Sequence, residues 1–211
     1  MTRETPRELE SSEIPEVIDA FARAAGRVKA AGYDGVEVLA GTGYLISEFL
    51  SPLTNKREDR YGGSFQNRMR FGVEVIEAVR RQVGPDYPII VRMNGNDFMP
   101  EGNGRKDLQE FGQALVAAGT DALSINVGWH EARVPQIVTS VPRGVFAYLA
   151  SGMRARVDVP VMAGHRINDP QTARQLLADG MCDMVAMGRS LIADPQLPQK
   201  AQQGREKEIV H

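Results

Sequence analysis

A chain of 211 residues that is 42% hydrophobic and 25% charged is long enough for one packed core and too apolar for a disordered polypeptide. Its 25 basic and 27 acidic side chains leave a formal charge of −2, which excludes the electrostatic footprint of a nucleic-acid or anionic-membrane binder and points to a small ligand. A lone cysteine, Cys182, excludes an internal disulfide, a CxxC pair and a cysteine-held cluster or metal site, and no apolar run approaches the roughly 18 residues that cross a bilayer, so the cytoplasm is the expected compartment.

Residues 1–10 read as a polar tail without the features of a secretory signal. Ile14, Val17, Ile18, Phe21, Ala25 and Val28 then recur at helical spacing, with Ser12 as N-cap and Pro15 in the first turn, predicting a helix near 13–31. The stretch Phe49 to Arg68 is too long for an idle connection and polar enough to shape a site. A second helix begins at Ser64, places Met69, Val73, Ile76 and Val79 on one face, and stops at Gly84-Pro85. Further helix caps fall at Asp169-Pro170 and Asp194-Pro195. Five apolar runs read as strands: Val36 to Leu39, Pro88 to Met93, Ala122 to Val127, Pro160 to Ala163 and Met184 to Met187.

One local pattern occurs three times: a helix closes at Gly32, Gly119 or Gly180, a short link containing Asp follows, and a strand begins. Glycine suits the left-handed residue that ends a helix because it has no Cβ to clash there. Continuous apolar strands alternating with helices predict an α/β protein with a parallel sheet covered on its faces. An open doubly wound sheet and a (β/α)₈ barrel both fit. Polar residues at the carboxyl ends of the strands favour the barrel, of which five strands are a part.

Candidate site residues follow from those strand ends. Gly164-His165-Arg166 and Met187-Gly188-Arg189 each pass from strand to loop through Gly and Arg, as phosphate-binding loops of barrels do, with main-chain N–H groups and an arginine fork. Surface salt bridging of Arg166 and Arg189 is the competing reading. Arg92 ends a buried strand and needs an anionic or electron-rich partner, which is either a ligand or a structural carboxylate such as Asp97 or Glu37. Tyr44, after Gly41-Thr42-Gly43, and His130, in Gly128-Trp129-His130, are candidates to give or orient a proton, although tyrosines after strands and lone loop histidines more often just pack.

Gly43 to Arg57, Asp59 to Ser64 and Asn67-Arg68 resemble the hallmark stretch of the old yellow enzyme superfamily of FMN-dependent oxidoreductases, and Gly128 to Pro135 with Val141 to Gly144 resemble its 2,4-dienoyl-CoA reductase branch. The resemblance runs from about residue 9 to 210 and implies a partial TIM barrel, units four to eight. It implies that Tyr44 is the proton donor assisted by His130, that Arg92 lies by the flavin ring, and that Arg166 and Arg189 sit in the FMN phosphate loops. A dienoyl thioester would be the substrate and NADPH the electron source.

The pattern departs from the family where many members carry a His and a His or Asn for the substrate carbonyl, since Leu39 and Thr42 stand there, and where Gly164-His165 replaces an Asn-containing pair. Relative to a whole member of the branch, three initial βα units and the later segments for a 4Fe-4S cluster, FAD and NADPH are expected to be missing. The five-strand arc is therefore expected to need a partner chain or self-association to cover its edges. Two other readings stand beside the reductase: a non-catalytic half-barrel, and a flavoenzyme acting on an N-methylated amine such as N-methylproline.

Overall fold

A computed structural model describes residues 7–210, so the first six residues of the polar tail lie outside the described part. The elements run α1 Ile14–Ala30, β1 Val36–Ala40, α2 Leu45–Leu50, α3 Phe65–Val83, β2 Ile89–Asn94, α4 Arg105–Ala117, β3 Ala122–Asn126, α5 Ala147–Arg154, β4 Val161–Ala163, α6 Pro170–Ala178, β5 Met184–Val185, α7 Arg189–Ala193 and α8 Leu197–Gln202. All five strands are parallel and lie in chain order, β1-β2-β3-β4-β5. A doubly wound sheet needs a point where the order reverses, and this sheet has none. Each unit instead adds its strand on the same side as the last, which is how the wall of a βα barrel is laid down.

Local sequence accounts for most boundaries. Ser64 caps α3 by accepting from the main-chain N–H of Asn67, and Asp169 caps α6 by accepting from that of Thr172. Gly32, Gly119 and Gly180 have φ of 86°, 111° and 66°, the left-handed conformation that the repeated motif requires. Two caps differ from expectation. Helix α1 starts behind Glu13, not Ser12, and the Glu13 carboxylate is held by Arg7 and the main-chain N–H of Glu10 instead of capping the helix. Asp194 precedes α8 by three residues and binds the N–H groups of Gln196 and Val210 together with the Lys200 ammonium.

The central strands are buried as an inner sheet demands, with every residue of β3 inaccessible, and Cys182 packs as a small buried residue. The outermost strands are not: Leu39 of β1 and Met184 of β5 are 39% and 41% exposed. β5 is shorter than the predicted Met184 to Met187 because it pairs on one side only and its last ladder bond is from Ala186 N–H to the Ala163 carbonyl.

Behind the sheet, α3 anchors the core. Gly72 lets it approach α4 so closely that an added Cβ would sit 2.7 Å from Phe111, while Phe71 stacks on Phe49 with ring centroids 4.2 Å apart. The polar stretch 49–68 is clasped by its own hydrogen bonds. Asn55 donates to the carbonyls of Phe49 and Tyr61, and Arg57 donates to the Leu9 carbonyl, Glu8, Ser11 and Asp59. These bonds pin the segment before α1 against the loop and hold the Asp59 carboxyl well below the usual carboxylate range. No helix among the described residues is long and apolar enough to cross a membrane.

Candidate functional site

Parallel strands joined by helices point all their carboxyl ends the same way, so residues at or just past those ends meet on one rim. Arg92, His165, Arg166, Met187, Gly188 and Arg189 line one cleft there, of about 600 Å³. Gly164 lies behind this wall, where an added Cβ would meet the Ile125 carbonyl oxygen at 3.6 Å. In front of Gly188 there is nothing within 4 Å of such a Cβ, so its backbone faces open space. The helix that follows Gly188 is only five residues long and adds little field of its own, which leaves the guanidinium groups to set the potential.

That potential is positive and uncompensated. No carboxylate lines the cleft, and among the described residues none of Arg92, Arg166 and Arg189 forms a salt bridge. Neither carboxylate proposed for Arg92 serves it. Asp97 accepts from Asn94, from the main-chain N–H of Asn103 and from the Asn103 amide, and burial pushes its carboxyl above the ordinary value despite those bonds. Arg92 donates instead to the neutral Ser124 hydroxyl at 3.2 Å and the Asn126 amide oxygen at 3.0 Å. Surface salt bridging does not describe Arg166 and Arg189 either. Arg166 donates to the carbonyls of Val141 and Thr139, and Arg189 to that of Ile137, so both hold the loop that follows β3.

The turn between β4 and α6 has an uncommon backbone. His165 and Arg166 are consecutive non-glycine residues in the left-handed region, with φ of 65° and 55°. Such residues cost of order 1–3 kcal/mol each and cluster where a ligand is clamped. Two polar atoms of this turn, His165 Nδ1 and Asn168 Oδ1, are buried without a hydrogen-bond partner. Burial first, then the charges of Arg92 and Arg189, lower the His165 pKa to about 4, so the imidazole is neutral at physiological pH.

Tyr44 and His130 meet outside this cleft, on the rim above β1 and β3. Their rings stand edge to face, 5.5 Å between centroids and 77° between planes, and Tyr44 is 54% exposed. Thr42, two residues before Tyr44, has φ of 62°, and its carbonyl accepts from the His130 N–H. A polar relay ties this pair to the cleft. Asn126, which receives Arg92, donates to Asn94 Oδ1 at 3.1 Å; that oxygen also accepts from the Thr42 N–H at 3.1 Å, and the Asn94 amide donates to Asp97. Asn94 and Asn126 are 1% and 2% exposed, so these bonds are their only available partners. They are visible in the sequence as polar ends of apolar strands, but nothing there assigns them the role of connector.

The profile of the NADH:flavin oxidoreductase / NADH oxidase family matches residues 1–208. A metal reductase of Desulforamulus reducens is 54% identical over 99% of this chain and 31% of its own length, and an NADH oxidase of Thermoanaerobacter brockii is 42% identical over 97% of this chain and 32% of its own. A 2-naphthoyl-CoA reductase, solved in complex with 2-naphthoyl-CoA, superposes on the whole chain with a TM-score of 0.96 at 40% identity, over 32% of that protein. The chain thus spans about a third of the length of these relatives.

The relay generates a stability prediction. Asn94→Ala removes the acceptor of the Thr42 N–H and a donor to buried Asp97, so it should lower unfolding free energy by about 1–3 kcal/mol in urea titration. A change within the error of the measurement would show that the relay does not hold the rim.

Proposed function

Because the chain belongs to the NADH:flavin oxidoreductase / NADH oxidase family, we propose that it carries the phosphate side of an FMN site and the proton-donating pair of a reductase of activated C=C bonds. The observation that supports this most is the cleft of three arginines without a carboxylate, beside a glycine that leaves its backbone open. A phosphate dianion matches that charge, and Arg166 and Arg189 bring the planar forks that grip such oxygens. Asn168 and His165 line the same cleft and add polar side chains of the kind a ribityl phosphate needs. Arg92 reaches from β2 into the same cleft, where it would meet the electron-rich edge of the isoalloxazine ring.

When bound, FMN supplies hydride transfer. Tyr44 then protonates the carbon next to the substrate's activating carbonyl, and the His130 ring against its edge keeps the phenol oriented. Leu39, 39% exposed at the end of β1, gives the substrate side an apolar wall. A conjugated acyl thioester of the dienoyl-CoA class fits this division, with NADPH as the electron source and with the strands that close the arc covering the β1 and β5 edges from elsewhere. FAD, an iron–sulfur cluster and the NADPH site would belong to that remainder.

A second reading, oxidation of an N-methylated amine, is favoured by one observation. Glu48 and Glu131 lie near Tyr44 without a salt-bridge partner among the described residues, and burial together with the Glu131 charge raises the Glu48 carboxyl. Two such carboxylates would attract an ammonium group.

Titration calorimetry tests the cofactor part. Arg166→Ala and Arg189→Ala should each weaken FMN binding roughly ten- to a hundredfold while leaving riboflavin, which lacks the phosphate, unaffected. Equal losses for both ligands would remove the arginines from the phosphate. Rapid-mixing kinetics on the assembled barrel tests the donor: Tyr44→Phe should slow reduction of an enoyl thioester by about a hundredfold or more and spare flavin reduction by NADPH. Equal loss of both steps would remove Tyr44 as donor, and turnover of an N-methylated amine in place of the thioester would select the second reading.

A further inference from the structure

A histidine between arginines is an unexpected way to line an anion cleft, because the neutral ring brings no charge and its buried Nδ1 brings an unmet hydrogen-bonding capacity. The left-handed pair His165-Arg166 turns both side chains onto the cleft wall, and Phe146 stands edge-on to the imidazole with centroids 6.5 Å apart. The charged groups facing the imidazole are Arg92 from β2, Arg189 from α7 and its own neighbour Arg166, and no carboxylate lines the cleft. We propose that His165 is a proton-coupled positioning residue, taking up one proton as the anionic end of the cofactor enters the cleft and then donating to that anion from Nε2, the ring nitrogen that is not buried. The inference rests on the reading of the cleft as a phosphate site.

Anion binding cancels the charges that help hold the ring neutral. In the free protein burial keeps the ring neutral, and the Arg92 and Arg189 charges add to that effect, so protonation waits until about pH 4. An entering dianion neutralises both guanidinium charges as seen from the ring and attracts the imidazolium directly. The midpoint of His165 is therefore higher in the complex than in the free protein. Linkage then fixes the sign for an anion that stays a dianion throughout: affinity is flat above the bound midpoint, rises as pH falls between the bound and free midpoints, and is flat again below the free one. An asparagine at this position could hydrogen-bond the anion but would show no such pH dependence.

The chain contains only three histidines, His130, His165 and His211, so their ring signals in protein labelled at histidine can be followed individually by NMR, with His165→Asn supplying the assignment. Titration is run on the free protein and with FMN, with riboflavin and with inorganic sulfate, which remains a dianion across the range and so adds no titration of its own. The expected result is a rise of at least about one unit in the His165 midpoint with FMN and with sulfate but not with riboflavin, matched by a sulfate affinity that grows by up to about tenfold per pH unit over that interval and does not in His165→Asn. An unmoved midpoint in a protein that does bind FMN would overturn the proton coupling while leaving the cofactor site intact. Failure of both FMN and sulfate to bind at any pH would overturn the cleft as a phosphate site and the coupling with it.

Discussion

Arg92 leaves a buried strand with no carboxylate to neutralise it, and much of the site is organised around that fact. A guanidinium cannot shed its proton, so a partly buried one must be solvated by dipoles or by a ligand. Here two neutral oxygens, Ser124 Oγ and Asn126 Oδ1, provide the dipoles, and the open side of the group faces the cleft that Arg166 and Arg189 also line. Replacing either oxygen by a carboxylate would hold the arginine more tightly but would cancel the positive field that an anion needs. Neutral second partners are what keep three arginines available to something that is not part of the chain.

The same arrangement connects two halves of the rim. Asn126 passes from Arg92 to Asn94, and Asn94 passes on to the Thr42 main chain just ahead of Tyr44. From the other side, Arg166 and Arg189 hold carbonyls of the loop that leaves β3, whose first turn carries His130. An anion at the two arginines would compete for donors that now restrain this loop. The arginine cleft and the Tyr44–His130 pair are thus connected through shared hydrogen bonds, in a region where the backbone is held at Thr42, His165 and Arg166 in left-handed conformations.

Much of this was legible in the amino-acid order, for identifiable reasons. Continuous apolar runs separated by helices leave little but a parallel sheet, and Gly32, Gly119 and Gly180 mark each return into it because few other residues tolerate that conformation. Polar residues at the strand ends favour the barrel arc over the doubly wound sheet, and the unreversed strand order bears it out. Hydrogen-bond partners were less legible. Arg92 called for a counter-charge, yet Asp97 is consumed by Asn94 and Asn103, a choice made by loop geometry six residues away. Likewise Arg57 and Asn55 look like site residues because they are polar in a long loop, whereas they fasten that loop to the segment before α1. Ser12 is not the cap because it lies inside a turn closed by the Glu13 N–H on the Glu10 carbonyl, so α1 starts one residue later, a contact that helix propensities do not describe.

The central claim is that the loops after β4 and β5 grip a phosphate. A crystal structure of the chain grown with FMN measures it directly. The account predicts the phosphorus between the two loops, with its oxygens within hydrogen-bond reach of both Arg166 and Arg189 and of the main chain at Gly188. Density for the flavin elsewhere, with both arginines still bound only to the carbonyls of Ile137, Thr139 and Val141, would contradict it.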